Sequence, residues 1–435
     1  MRHQVAIKKR RLDNILAMAI VVYFFFYEMF QACISYSFAN ILCGVHIFLA
    51  GIVVITHIRK KTAFGIYWLW GIVLCITLFN NRVLANRLYL ISFFNYFSAM
   101  VVAFSLAKSA GTNWIDDYSK VTRICGWVYI IATLIFFVLP GVGEFQKSIW
   151  WGIYPNGTEN GKYAYRAGLA SSYSANGIYV SIALLSIAAP VISHFGTKHR
   201  IQKKEYIWVL LGAAALLLTA KRAHLLFTMS ALIISYFALS EGKVENKFVR
   251  FIAIGIVLIT TFVIACYFVP ALSNTILRFT DNGGDISTGR FLFWEYAYKK
   301  FLQHPWLGIG WFGFRFEPID IKYTAGYYDA HCIYIQLLCE TGIIGFSVVV
   351  FAMISTWIDC VKLCKQYRRE LSDKWHSALV ASASIQIFMI IYGSTGNVLY
   401  DRCFIIYMMS LAVQWTIKYS LQRGMTIRGT MNERA

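Results

Sequence analysis

Apolar runs of membrane-crossing length, separated by short basic clusters, constrain this chain more than any other feature. They fall at about 12–30, 38–56, 63–79, 89–107, 124–143, 177–195, 206–220, 223–239, 250–270, 332–357, 376–393 and 402–417. A helix needs ~17–25 residues to cross ~30 Å of hydrocarbon. In lipid every backbone polar group must be bonded within its own segment, so runs of this kind fold as helices. The sequence therefore predicts an all-α polytopic membrane protein of about twelve spans, a single integral membrane domain over 1–435. Two polar stretches interrupt the series, 144–176 and 271–331. Only 14% of residues are charged against 58% hydrophobic, whereas a soluble domain carries ~25% charged residues.

Lys and Arg set the orientation. Seven segments carry about two thirds of the 41 basic residues: Arg2–Arg11, Arg59–Lys61, Lys108–Arg123, Lys198–Lys204, Lys243–Arg250, Lys362–Lys374 and Lys418–Arg434. They alternate along the chain with longer segments that hold fewer. The positive-inside rule then puts both termini in the cytoplasm and both long loops outside. The inside charges set topology and meet anionic headgroups. The net charge of +20 does not point to nucleic acid, because the basic residues lie between apolar runs rather than on one face. Met1–Arg11 is basic and Leu12–Phe30 is long enough to remain a span, so no cleavable signal peptide is expected. Cys360 and Cys364 share a helix face but have no second pair or histidine, and read as small apolar residues rather than a zinc site.

Chemistry is expected on the external side. Run 206–220 has fifteen residues, ~22 Å of helix, and Lys221 and Arg222 follow at once. Such a hairpin turns below the outer surface and draws Arg222 into the bundle, unless the side chain snorkels to the headgroups. In the first loop, Trp150, Trp151 and Tyr154 suit the membrane interface. Asn156-Gly-Thr158 matches a sequon by accident, and Arg166 leads into the sixth span. In the second loop, Phe291–Phe301 reads as a short amphipathic helix at the interface. Gly308, Gly310 and Gly313 spell G-x-G-x-x-G, but no strand–turn–helix unit surrounds them, so the dinucleotide reading fails and a tight turn is expected. His331 can accept a proton near neutral pH, with Asp329 to orient it; a headgroup or backbone contact is the competing reading. Asp401-Arg402 reads as a local ion pair. The arginine fork matches phosphate oxygens, so Arg166, Arg222 and Arg290 together suggest a phosphate-bearing ligand. No Asp-x-Asp pair, HExxH or external carboxylate pair appears, so neither a divalent metal nor another cofactor is expected, and arginine would handle negative charge.

Three segments carry a resemblance. G-R-x-x-x-W-x-x-A (Gly289–Ala297), H-P-W-L-G-I-G-W-F-G-F (His304–Phe314) and A-H-C-I-Y-I-Q-L-L-C-E-T-G-I-I-G (Ala330–Gly345) resemble the core of the O-antigen ligase/polymerase superfamily. T-A-K-R-A-H-L-L-F (Thr219–Phe227) is similar to its arginine-bearing hairpin, and R-A-G-L-A-S-S-Y-S-A-N-G (Arg166–Gly177) to its upstream loop. The first 140 residues match only as generic spans. Where the family usually has His-Asn, this chain has His331-Cys332, so the role of that Asn is absent or moved.

The resemblance implies a metal-independent, inverting membrane glycosyltransferase of polysaccharide and lipopolysaccharide biosynthesis in the bacterial inner membrane, with its active site on the external face. The donor would be a glycan on undecaprenyl diphosphate. Arg222 and Arg290 would bind the diphosphate, with Arg166 and Lys221 assisting, and His331 would activate or orient the acceptor hydroxyl. The leading expectation is a polymerase acting on a lipid-linked glycan, with a chain-length regulator as a partner. A ligase acting on lipid A-core is the alternative in the same class. A flippase of lipid-linked glycan is the rival of another class; it predicts charges near the midplane and paired broken helices.

Overall fold

A computed structural model of the chain describes residues 2–57, 87–109, 113–150, 165–197, 201–268, 290–317 and 329–422, with isolated positions between 67 and 76. The third expected span, 63–79, lies largely outside the described residues, as do Trp151, Tyr154 and Asn156.

Thirteen α-helices are described, and no strand occurs among the described residues. They are α1 Arg2–Cys33, α2 Tyr36–Thr56, α3 Arg87–Ala107, α4 Trp114–Val138, α5 Pro140–Trp150, α6 Tyr173–His194 and α7 Lys203–Leu218. They continue with α8 Arg222–Leu239, α9 Val244–Phe268, α10 Arg290–Gln303, α11 Ile333–Gln366, α12 Asp373–Tyr392 and α13 Cys403–Gln422. Every expected run except 63–79 and 124–143 coincides with one of them. Six are long and apolar enough to cross a membrane: Leu12–Gln31 of α1, then α4, α6, α8, α11 and α12.

Local chemistry sets the helix starts. Ser35, Ser172 and Ser372 each accept a hydrogen bond from the backbone N–H three residues on, at Phe38, Ala175 and Trp375, which satisfies one orphan donor of the first turn. Asp116 and Asp117 lie in the first turn of α4, where the helix dipole favours negative charge. The run expected as one span at 124–143 divides at Pro140, which opens α5. Proline has no N–H to give and bars the helical conformation at the residue before it.

The centre of the bundle is α6 against α12, flanked by α4, α7, α8 and α13. Large aromatics fill it: Trp70, Tyr129, Tyr407, Phe24, Phe25, Phe388 and Phe404 are all under 2% exposed. The expected interface helix is α10. It packs on α11 through buried Phe293 and Ala297, while Phe291, Leu292, Tyr298 and Leu302 stay exposed, as suits a helix at a lipid boundary.

One helix is broken. Gly342 of α11 has φ 62° and ψ −172°. The break strands backbone groups that a loop then satisfies. Ile309 N–H donates to Cys339 O (3.0 Å), Gly310 N–H to Glu340 O (2.8 Å), and Ile343 N–H to Pro305 O (2.8 Å). The glycines expected merely to make a turn therefore permit close backbone approach. A Cβ on Gly308 would overlap the Glu340 carbonyl, and one on Gly342 would overlap the Trp306 carbonyl; both residues have positive φ.

Candidate functional site

The broken helix carries the buried acid that organises the site. Glu340 is 0% exposed, and a buried carboxylate is tolerable only if its oxygens are bonded. Its carboxylate accepts from Phe312 N–H (2.9 Å), Phe314 N–H (3.1 Å) and the Gln336 side-chain amide (3.2 Å). Those bonds fix the loop that follows the glycines, including a short 3-10 turn, Phe314–Phe316.

Arg315 in that turn reaches Asp329. Arg315 Nε donates to Asp329 Oδ1 (3.1 Å), and Nη2 donates to Oδ2. This is the bidentate geometry that makes guanidinium–carboxylate pairs strong. Gln336 adds a donor to Asp329 Oδ1 (3.1 Å) and accepts from Ala330 N–H (2.9 Å). Trp294 of α10 donates to Ala330 O (2.8 Å), and Ile333 N–H donates to Gly393 O (2.8 Å). Residues 329–333 are thus held from four directions.

His331 sits in the middle of that grip with φ +52°. A non-glycine residue in the left-handed region costs on the order of 1–3 kcal/mol and persists only where surroundings over-determine it. Its Nδ1 lies 3.4 Å from Asn397 Nδ2, on the connection after α12. An asparagine amide, absent from the neighbouring position in the His331-Cys332 pair, thus reaches the ring from elsewhere in the chain. The orienting role expected of Asp329 is not direct, since its carboxylate bonds Arg315 and Gln336. Burial pushes the His331 imidazole below its ordinary pKa, and the positive charge of Arg290 pushes the same way; Asp329 opposes them.

Arg290 opens α10. Its Nε is buried and makes no hydrogen bond, and no carboxylate pairs with it, among the described residues. Its charge acts on His331, on His224 and on Tyr392, so these four side chains share one neighbourhood. Lys221 belongs to it as well, because its charge also acts on His331 and His224. Its Nζ sits 4.0 Å from the centre of the Tyr173 ring, at cation–π range.

Two expectations are modified. The short hairpin does turn at Thr219–Lys221, with Ala220 at φ +53°. Yet Arg222 is exposed and not enclosed by helices. The enclosed residue of that turn is His224, 1% exposed, whose ring packs on Tyr392 with centroids 4.7 Å apart. Arg166 is buried beside Tyr165, 5.9 Å from that ring. Its carbonyl accepts from Asn176 (3.0 Å), and Tyr165 packs with Leu218 at the end of α7.

Asp401 and Arg402 do not pair with each other. Arg402 Nη1 pairs with Glu28 Oε1 of α1 (3.0 Å), and its guanidinium lies 3.9 Å over the Tyr27 ring. Glu28 Oε2 accepts from Ser171 N–H (2.8 Å). Between them opens a cavity of about 430 Å³ whose lining includes Tyr27, Asn95, Ser174, Phe312, Arg315 and Asp401. Nothing in the sequence pattern marked Arg315, Asn397 or His224, since each acquires its neighbours only through tertiary contact.

A larger cavity, about 990 Å³, lies at the opposite ends of α6 and α12, against Asp116, Lys204, Asp373 and Trp208. Charges there are largely matched, as in Arg123–Glu205 (2.5 Å) and His194–Asp373 (3.4 Å).

Residues 207–350 match the family model described as O-antigen ligase. No curated protein and no solved structure matches the chain. The matched stretch, about a third of the chain, runs from α7 past the break in α11 and carries Lys221, Arg222, Arg290 and His331, so this part of the chain is similar to the O-antigen ligase family.

Proposed function

We propose that the chain is a polysaccharide polymerase of the bacterial inner membrane. It moves a glycan from undecaprenyl diphosphate onto a lipid-linked acceptor sugar at the external face, both termini being cytoplasmic. The observation that carries this reading is Arg290: a half-buried cation, its Nε enclosed, with no carboxylate partner among the described residues, next to a histidine held below its ordinary pKa. A cation held so needs an anion, and a lipid diphosphate supplies one.

In this reaction the acceptor hydroxyl oxygen bonds to the anomeric carbon of the donor glycan from the face opposite the diphosphate. The hydroxyl proton passes to the neutral imidazole of His331. The bond from the anomeric carbon to the diphosphate oxygen breaks, and undecaprenyl diphosphate leaves with the electron pair. Arg290, Arg222 and Lys221, with Arg166 behind them, stabilise the charge gathered on the leaving oxygens, which is electrostatic catalysis of the oxyanion-hole kind. The step needs no metal.

The ligase reading uses the same chemistry with lipid A-core as acceptor, and the family match supports either acceptor. Glycan analysis of cells carrying Arg290→Ala or His331→Ala, at matched protein level, separates the readings. Single repeat units in place of long chains support the polymerase. Long chains left on undecaprenyl diphosphate point to the ligase. Unchanged glycan in both variants overturns the enzyme and favours a flippase of lipid-linked glycan.

A further inference from the structure

The cavity between α1, α6 and α13 is lined mostly by residues outside the matched segment, Phe312 and Arg315 being the exceptions, and it touches the site at two points. Arg315 lines it and holds Asp329, two residues before His331. Asp401 lines it and follows by four residues Asn397, whose amide reaches the His331 ring. Its volume of about 430 Å³ falls within the ~300–1,000 Å³ of small-ligand sites.

Its charges say what it would accept. Both arginines in the wall are matched within the protein, Arg315 by Asp329 and Arg402 by Glu28. Asp401 lies within reach of the charges of both arginines, but its carboxylate makes no hydrogen bond or ion pair among the described residues; its backbone bonds Asn397 and Phe404. The wall thus carries two carboxylates, Glu28 and Asp401, against two arginines that already have carboxylate partners, so no cation in it is left over for a diphosphate. A lipid tail would leave the Asp401 carboxylate unsolvated. What remains is a neutral ligand rich in O–H donors with apolar C–H faces. The rest of the wall suits it, with Tyr27, Tyr96 and Phe312 as aromatic surface and Gln31 and Asn95 as amides.

We propose that this cavity is the acceptor-sugar subsite: sugar hydroxyls donate to the Asp401 carboxylate, and residues of α1 around Tyr27, Glu28 and Gln31 select which acceptor sugar enters. The proposal rests on the glycosyl-transfer reading above, because it places the acceptor on the far side of His331 from the diphosphate. It also gives the first helix, which the family match does not reach, a role in specificity. Glu28 acts as a positioning residue: it orders Arg402 and the Ser171 backbone at the cavity mouth and need not touch the sugar.

The test uses full-length protein in detergent with Gln31→Cys as a reporter, in a Cys33→Ser background because Cys33 is also exposed. The probe is an oligosaccharide released from the host's own envelope glycan. The rate of maleimide labelling at position 31 is followed with and without it. Saturating oligosaccharide should slow labelling at least tenfold, and Asp401→Asn should abolish that protection. The same variant should leave binding of glycan-free undecaprenyl diphosphate within twofold, while Arg290→Ala abolishes that binding. Labelling that is not slowed, or protection that survives Asp401→Asn, overturns the subsite. Asp401→Asn weakening diphosphate binding as much as Arg290→Ala would place the cavity on the donor side and also overturn it. If Arg290→Ala leaves transfer in cells unchanged, the glycosyl-transfer reading falls instead, whatever the labelling shows.

Discussion

The charges of Arg290 and Arg315 both reach His331, but the two arginines live in opposite circumstances. Arg315 is held bidentately by Asp329, and that carboxylate also takes a hydrogen bond from Gln336. Arg290 has a buried Nε with no hydrogen bond and no carboxylate at hand among the described residues. Burying a cation is costly unless an anion meets it. Among the described residues, that anion is present for one arginine and absent for the other. The first pattern is what a structural clamp needs; the second is what a site awaiting an anionic ligand needs.

The largest effect should come from the unmatched side. Arg290→Ala should lower transfer ~10²–10³-fold, the loss seen when one preorganised charge-stabilising donor is removed. Arg290→Lys should recover only part, because an ammonium cannot reproduce the planar fork. Single-turnover transfer from an undecaprenyl-diphosphate-linked repeat, made with purified variants, reads this directly. Equal rates for wild type and Arg290→Ala would erase the distinction between the two arginines.

The clamp itself depends on the break in α11. Gly342→Ala adds a Cβ against the Trp306 carbonyl and forces a side chain into positive φ. The left-handed conformation costs ~1–2 kcal/mol and the overlap ~1–3 kcal/mol more, so a clear drop in thermal unfolding temperature in detergent is expected. Gly44→Ala is the control: nothing lies within 4 Å of its Cβ, and the change should stay within ~0.5 kcal/mol. Equal behaviour of the two would mean that the loop does not lock into the break.

What the sequence made legible divides along the same line. Hydrophobic runs located the helices because lipid leaves the backbone no other option. His331 and Arg290 could be singled out as candidates because they lie within motifs that can be read along the chain. Asp401 was read as the partner of Arg402, whereas Arg402 pairs with Glu28 across more than 370 positions of sequence, and no local pattern carries that. The glycines were read as a turn because close backbone approach to a broken helix looks, residue by residue, like any glycine-rich loop. Arg222 was expected inside because the hairpin is short, but it is His224, two residues further along α8, that faces Tyr392.

The matched pair should behave as a unit. Arg315→Ala should cost about tenfold in transfer, through displacement of residues 329–331 rather than through charge at the leaving group. Asp329→Ala should cost at least as much, since it strands both Arg315 and the Gln336 amide. The double variant should fall short of the product of the single losses, with a coupling of ~1–2 kcal/mol. Additive losses would mean that each residue acts alone and that no clamp exists.

The smallest effect is a shift in pH dependence, and its sign distinguishes the two sides. A base must be unprotonated, so the rate falls as pH drops through the imidazole pKa of His331. Burial, and after it the Arg290 charge, hold that pKa below the usual histidine value of 6.5, so the acid limb of the wild-type profile should lie below pH 6.5. Asp329 pulls the other way. Asp329→Asn removes a negative charge, favours the neutral imidazole, and should move the limb further down. Arg290→Ala removes a positive charge and should move the imidazole pKa up, read by NMR titration of the ring because too little activity is left to follow. Arg290→Lys keeps the charge and should leave the pKa near its wild-type position. Shifts of the same sign in Asp329→Asn and Arg290→Ala would show that burial alone sets the pKa of His331, and that the contrast between its two neighbours does not reach the base.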